Sequence, residues 1–401
     1  MRVTWIIPEP YGFLVDELQA LSGRLAGIRV LCSTPIPIAI RDRLPRVAFH
    51  ECPESAFIPL LASCGPFRSL VRSRGWLGIL RNGWHVRKIA GIYKTLNRLE
   101  EADPSSLIHS HFAHPAGLGG SLLGNVPQLV TLRGYDILTT GSYGSLWNPF
   151  YRRNLIDAFA EGGVVTTGSS HSLQRARQIL GPNADLKFLP EAIVTDSFVP
   201  SGVHTRESLG LAPDAVVLLT VGNLVPVKNH QMLLDSLKDV LPRCRRPLHL
   251  LVCGDGPLES VLSQQAMALG IADRVHFMGR LPRGELSDLY ALGDVLVHTS
   301  LSEGFGSIIL EAMLKRLLVV ASPVGIAPDL IQHRENGFLP ALGDRRSLVD
   351  SLSEAIGRLP LFGAALDANR DVVLAGFDMD RRIDGYMALY EEAAQRQNAR
   401  P

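Results

Sequence analysis

Short apolar runs alternate with helix-length segments along all 401 residues, in two successive blocks. The first block carries the runs Val3 to Ile7, Ile28 to Cys32, Leu107 to Ser110, Gln128 to Leu132 and Gly163 to Thr167. The second carries Val216 to Val221, Leu248 to Cys253, Val275 to Met278, Val295 to Thr299 and Leu317 to Ala321, separated by helical patterns such as His230 to Val240 and Leu258 to Leu269. Alternation of strand and helix implies parallel sheets joined by right-handed crossovers, so the fold class is α/β with two Rossmann-like domains. The chain is also longer than one hydrophobic core usually serves, which favours two domains of roughly 180 to 200 residues. Proline and glycine in Phe198-Val-Pro-Ser-Gly202 mark the boundary. The expected division is an N-terminal domain at 1–198, a C-terminal domain at 199–375, and a closing segment at 376–401. In that segment Asp378 to Gln395 reads as a charged amphipathic helix able to pack back across both domains. Ligands of open parallel sheets bind beyond the carboxyl ends of the strands, so two such domains facing each other make a binding cleft.

Composition excludes some classes. A net charge of +1 and 6% aromatic residues argue against a dedicated nucleic-acid binder, which carries a large basic excess. The cysteines, Cys32, Cys52, Cys64, Cys244 and Cys253, are odd in number and scattered, and form neither a Cys-x-x-Cys pair nor a His/Cys cluster. A reducing cytoplasm is the expected setting. The N-terminus, Met1-Arg-Val-Thr-Trp-Ile-Ile-Pro8, reads as a first strand rather than a signal sequence, and no run approaches the ~18 apolar residues of a membrane span.

The span Glu303-Gly-Phe-Gly-Ser-Ile-Ile-Leu-Glu311 bears most directly on chemistry. It follows a buried strand, turns on Gly304 and Gly306, and opens a helix at Ser307 that runs to about Lys315. Free N–H groups and the positive end of a helix dipole at such a turn attract a diphosphate, and glycines let it approach closely. Glu303 and Glu311 would repel that diphosphate and are better read as acceptors for sugar hydroxyls on either side of it. An ordinary loop with a capped helix is the competing reading.

Other second-block loops also follow strands. Gly222-Asn-Leu-Val-Pro-Val-Lys228 ends in a lysine suited to phosphate oxygens, although a plain surface lysine is the commoner case. Gly254-Asp-Gly-Pro257 permits a tight turn around Gly254 and Gly256, and turn-only is the simpler reading in isolation. Gly279-Arg-Leu-Pro282 could face a nucleobase through the backbone of Arg280, and Asn336-Gly337 reads as a turn.

Taken in order, Gly222 with Lys228, Gly254-Asp-Gly-Pro257, Gly279-Arg280, and Glu303-Gly-Phe-Gly306 with Glu311 resemble the GT-B glycosyltransferases of family 4, which are retaining. The resemblance is strong over residues 216–340. In the first block it rests on patches such as Ile108-His-Ser-His-Phe112 and Leu132-Arg-Gly-Tyr-Asp136. It implies Lys228 on the diphosphate, Glu303 on the donor sugar hydroxyls, backbone amides of Gly304, Phe305 and Gly306 on sugar and phosphate with Ser307 beside them, and Glu311 on the ribose diol. Gly222, Asn223, Gly254, Gly256 and Arg280 complete the implied donor surface. Asn223 stands where the family usually carries arginine, Arg133 where many members carry histidine, and Glu191-Ala-Ile-Val194 where Asn-Gly-Val-Asp is usual. One expectation is that Arg133 supplies the phosphate-facing charge that Asn223 cannot, making it catalytic beside Glu303 and Lys228. The alternative is a buried ion pair with Asp136.

The resemblance implies front-face attack, in which the leaving phosphate helps to take the acceptor proton and no metal or other cofactor is needed. Asp378-Met-Asp380 matches an Asp-x-Asp metal motif formally but starts a helix and reads as a chance cap. Acceptor-side candidates are His111 and Asp136. His109, His111 and His114 lack an acidic or cysteine partner, which favours cleft-lining polar residues over metal ligands. Between Glu54 and Glu100 there is no acid, while Arg68, Arg72, Arg74, Arg81, Arg87, Lys88, Lys94 and Arg98 interleave with Trp76, Leu77, Ile79, Leu80, Trp84 and Tyr93. Residues 68–98 could lie on an anionic membrane surface or hold a lipid diphosphate, and a solvated helical face explains them equally well.

The expected protein is a cytoplasmic glycosyltransferase, peripheral on the inner face of the membrane. It would move a sugar from a nucleoside diphosphate donor to a glycan or lipid-linked acceptor in bacterial surface polysaccharide biosynthesis. The competing class is a non-catalytic nucleotide-sugar-binding subunit. A dinucleotide-dependent oxidoreductase would need Gly-x-Gly-x-x-Gly after a first strand, and neither block has it.

Overall fold

The computed structural model describes residues 1–9, 12–52, 83–123, 126–134, 163–182, 184–195 and 198–398. Two compact units form, one from Met1–Pro190 with Met379–Pro401, the other from Glu191–Asp378. The chain thus crosses between units at Pro190 and again at Asp378, the first crossing several residues before the proline-glycine stretch at 198–202. The helix Met379–Asn398 returns to the first unit.

The first unit contains β1 (Arg2–Ile7), β2 (Gly27–Cys32), β3 (Val47–Glu51), β4 (Leu107–His111), β5 (Gln128–Leu132), β6 (Val164–Thr167) and β7 (Leu186–Phe188). They form a parallel sheet in the order β3-β2-β1-β4-β5-β6-β7. The edge strands β3 and β7 escape a sequence reading because each pairs on one side only and carries polar residues, as in Leu186-Lys-Phe188. One face of the sheet packs Val3, Trp5 and Ile7 with Ile383, Tyr386 and Tyr390 of the closing helix. The other buries Ile6, Leu31 and Ile108 against Ile92 and Leu96 of the helix Gly83–Ala102.

The second unit contains β8 (Val216–Val221), β9 (Leu248–Cys253), β10 (Val275–Gly279), β11 (Val295–His298) and β12 (Leu318–Ala321). They are parallel in the order β10-β9-β8-β11-β12. The period-2 alternation of a strand sends Val216 and Leu218 to one face, with Leu233 and Leu237 of the helix His230–Val240. It sends Val217 and Leu219 to the other, with Ile309, Leu310 and Met313 of the helix Ser307–Leu314. Burial on both faces explains why these strands read as continuous apolar runs, and each such side chain contributes about 1.5–3 kcal/mol.

The start of the second unit is held by Asp288, which is 3% exposed. Its carboxylate accepts from the Ser201 hydroxyl (2.7 Å) and from the N–H groups of Gly202 (2.9 Å), Val203 (2.9 Å) and His204 (3.1 Å). Burial alone would raise this carboxyl, but the four donors hold it down at about 2. A depressed folded pKa contributes stability that is present above the unfolded value of 3.8 and is lost as pH falls toward 2. Asp288→Ala is therefore expected to cost about 2–4 kcal/mol at neutral pH. The gap from wild type, read by urea unfolding, should narrow between pH 4 and 2.

Candidate functional site

Chain order reverses between β8 and β11, and in an open parallel sheet the crevice at such a reversal lies beyond the carboxyl ends of the two strands. The loops that leave β8 and β11 there are 222–229 and 299–306. Both are built by backbone contacts. Gly222 N–H donates to the Cys253 carbonyl (2.9 Å), Leu224 N–H to Asp255 (2.7 Å) and Leu301 N–H to Val227 (2.8 Å), while the Thr299 hydroxyl donates to the Lys228 carbonyl (2.9 Å).

Gly254 and Gly256 let these loops meet. A Cβ on Gly254 would lie 2.0 Å from the Gly222 carbonyl oxygen, and one on Gly256 would lie 2.6 Å from that of Leu224. Both also hold positive φ, at 136° and 154°. They are more than turn formers, since they seat one ligand-side loop against another. Gly254→Ala is expected to cost about 1–3 kcal/mol through overpacking alone, measurable as a lowered urea midpoint.

Lys228 and Glu303 come together from opposite loops, and the lysine ammonium hydrogen-bonds the Glu303 carboxylate. Both side chains remain partly open, at 22% and 18% exposure. Burial would raise the Glu303 carboxyl, but the His298 imidazole and the Lys228 ammonium beside it hold it at about 2, so it is ionised throughout the neutral range. Gly306 takes a left-handed φ of 92° and no side chain caps the helix Ser307–Leu314 that follows. That turn is buttressed by Ile326 N–H on the Phe305 carbonyl (2.7 Å) and by Gly325, where any Cβ would sit 2.3 Å from the same oxygen. Phe305 itself is 4% exposed and packs 6.5 Å from Phe377, so its side chain is a core anchor and only its backbone faces the turn.

Glu311, one helical turn further on, accepts a hydrogen bond from the Tyr290 hydroxyl (2.7 Å). Burial pushes its carboxyl up, opposed by Tyr290 and the positive charge of Arg283. Asn223 and Arg280 are exposed on the loops after β8 and β10, and Ser307 is half-buried at the helix start. The donor-surface residues implied for the second block thus lie on loops or a helix start that follow these strands. Sequence reasoning missed Tyr290, Gly325 and His298. The first two sit outside the motifs, and His298 passed as the end of an apolar strand.

First-block candidates behave differently. Arg133 does not present a phosphate-facing guanidinium. It is 6% exposed, pairs with Glu17 (3.3 Å), contacts His111 Nδ1 (3.2 Å) and lies 4.7 Å over the Phe13 ring. A buried ion pair is the alternative, and Glu17 is one partner; the pairing with Asp136 falls outside the described residues. His111, expected on the acceptor side, is wholly buried with its imidazole driven well below its ordinary value by burial, then by the charges of His109, Arg133 and Arg382. His109 spends its two ring nitrogens on the hydroxyls of Tyr390 and Thr131, both at 2.8 Å. These histidines are interior members of a polar network, which leaves neither as a surface for substrate. The His114 side chain lies outside the described residues. Of the basic stretch, residues 68–82 also lie outside them. On the helix Gly83–Ala102, Arg87, Lys94 and Arg98 are exposed while Ile89, Ile92 and Leu96 are buried, the pattern of a solvated helical face. No helix among the described residues is long and apolar enough to cross a membrane.

Residues 204–358 match the family model described as glycosyl transferases group 1. N-acetyl-alpha-D-glucosaminyl L-malate synthase of Bacillus anthracis is 28% identical over 294 residues, which cover 71% of this chain and 74% of that protein. The GDP-mannose-dependent alpha-(1-6)-phosphatidylinositol monomannoside mannosyltransferase of Mycobacterium tuberculosis is 33% identical over 223 residues, 52% of this chain and 55% of that protein. The crystal structure of Anabaena HepE in complex with UDP matches with a TM-score of 0.75 at 20% identity, covering 97% of this chain and 99% of that one. Two parallel-sheet units and these matches define the class: the chain is a glycosyltransferase of the GT-B fold. Within that class its residues 204–358 form a glycosyl transferases group 1 domain.

Proposed function

We propose that this chain is a retaining glycosyltransferase of family 4 that moves a sugar from a nucleoside diphosphate donor to a glycan or lipid-linked acceptor in bacterial surface polysaccharide biosynthesis. The observation that carries the reading is the Lys228–Glu303 pair at the reversal between β8 and β11, beside the uncapped start of the helix Ser307–Leu314. Glycosyl transfer needs stabilisation of a departing diphosphate and of positive charge growing at the anomeric carbon. Lys228 and the helix N-terminus serve the first need. Glu303, ionised and 18% exposed, accepts donor sugar hydroxyls, and Glu311 accepts the ribose diol.

The bond from anomeric carbon to phosphate oxygen breaks, the acceptor oxygen bonds to that carbon on the same face, and the leaving phosphate takes the acceptor proton. No divalent cation enters this scheme. Relatives whose names specify GDP-mannose or an N-acetylglucosaminyl group, and the UDP complex of HepE, support a nucleotide-sugar donor. The phosphatidylinositol monomannoside in the name of the mycobacterial relative supports a lipid-linked acceptor. Association with the cytoplasmic membrane face would rest on the exposed cations of the helix Gly83–Ala102. The test is proton NMR of the product formed from an α-linked donor. An α-linked product, formed equally well in EDTA, is the expected result; a β-linked product would overturn the retaining assignment.

A further inference from the structure

The Lys228–Glu303 pair has a third member. His298 ends β11 five residues before Glu303 and is 3% exposed. Its Nε2 lies 3.4 Å from Glu303 Oε2, the same oxygen that bonds Lys228, near enough to help hold that carboxyl down but too long for a well-formed hydrogen bond, and it has no other hydrogen-bond partner. Ser300 Oγ stands 3.4 Å from that oxygen as well. A buried ring nitrogen left unsatisfied is unfavourable, so its placement against a carboxylate calls for a reason.

Donor binding supplies one. The Lys228 ammonium is a compact charge on a flexible stem, and a diphosphate offers it more negative charge than one carboxylate does. Once Lys228 turns to the phosphates, Glu303 loses its main counter-charge while still largely enclosed. Held only by the long contact from the Ser300 hydroxyl, a carboxylate there would swing or take up a proton, and either change spoils it as an acceptor for sugar hydroxyls. We propose that His298 is the positioning residue that then holds Glu303, its Nε2–H closing onto Oε2 as Lys228 leaves. The partner exchange keeps the carboxylate ionised and aimed at the donor sugar. This inference rests on the donor reading given above.

The two roles separate by ligand. A free nucleoside diphosphate engages Lys228 without any sugar for Glu303 to hold, so its affinity should not depend on His298. Transfer from the full donor should. The experiment compares full-length wild type with His298→Ala and His298→Gln, reading kcat and donor KM, calorimetric affinity for free UDP, GDP and ADP, and thermal unfolding. Expected is a fall of about 10- to 100-fold in kcat for the alanine variant, the loss of one hydrogen bond to a charged group. Glutamine, which can donate from its side-chain amide at similar reach, should restore most of that loss, and nucleotide affinity should stay within about twofold in both. Turnover of His298→Ala within about twofold of wild type would overturn the proposal, as would equal losses in the two variants. Wild type that binds none of UDP, GDP and ADP would instead remove the donor reading and this inference with it.

Discussion

Glu17→Ala is expected to destabilise the first unit by about 3–5 kcal/mol, a large share of the 5–15 kcal/mol that holds an ordinary domain. Glu17 is 3% exposed and lies between two buried guanidinium groups, Arg382 (2.6 Å) and Arg133 (3.3 Å), with the Tyr386 hydroxyl donating to it at 3.0 Å. Burial alone would raise its carboxyl, yet the two arginines keep it below its ordinary value. Removing it takes a counter-charge from two enclosed cations that cannot shed a proton. Arg382 also donates to the Leu189 carbonyl (3.0 Å), so this residue ties the closing helix both to the helix Gly12–Leu21 and to the end of β7. Amide exchange across 379–398 should therefore rise more than elsewhere in the unit. The pair effect is testable as well: Arg382→Met should cost less in a Glu17→Ala background than alone, because the Glu17–Arg382 contact is then already lost. Since Glu17 titrates lower in the folded state, its contribution is present above the unfolded carboxyl value and fades as pH falls below it.

The second large effect is on turnover. Glu303→Gln keeps the shape of the side chain but removes the charge that Lys228 and His298 surround. On the proposed donor reading kcat should fall by about 100- to 1,000-fold, the scale of losing one preorganised electrostatic contact in a reacting site. Stability should change by no more than about 1 kcal/mol, because the pair is partly open to water. Lys228→Ala should divide the effect differently. It removes a charge-assisted hydrogen bond worth about 1.5–3 kcal/mol to the diphosphate, so free UDP or GDP should bind roughly 10- to 100-fold more weakly. Steady-state kinetics beside nucleotide calorimetry separates the two variants: Glu303→Gln should spare nucleotide affinity and Lys228→Ala should not.

The second unit was the more legible half because its signals are local. Its strands are buried on both faces and therefore appear as uninterrupted apolar runs, and Gly222, Gly254, Gly279 and Gly306 mark the ends of β8, β9 and β10 and the turn beyond β11. Parallel pairing puts the loops of Lys228 and Glu303 at the same carboxyl edge of the sheet, but that they are neighbours follows from the reversal of strand order between β8 and β11, which spacing along the chain does not reveal. The first unit withheld more. Glu17, Arg133 and Arg382 come from three distant segments, and no spacing rule links residues separated by 116 and 365 positions. Arg133 stands where many members of the resembled family carry histidine, and the charge that Asn223 lacks makes a phosphate role and a buried ion pair equal expectations from sequence. One partner, Glu17, comes from the distant helix Gly12–Leu21, which no local spacing connects to Arg133. His298 was hidden for the opposite reason, being embedded in an apolar strand whose last residue happens to reach the carboxylate five positions later.

The central claim is that the loops after β8 and β11 hold a nucleotide sugar between Lys228 and Glu303. Calorimetric titration of the full-length protein with UDP-, GDP- and ADP-sugars, repeated on Lys228→Ala, tests it most directly. The account predicts saturable binding of one nucleotide class, weakened roughly 10- to 100-fold by the substitution. Binding of no donor, or binding that Lys228→Ala leaves unchanged, would contradict it.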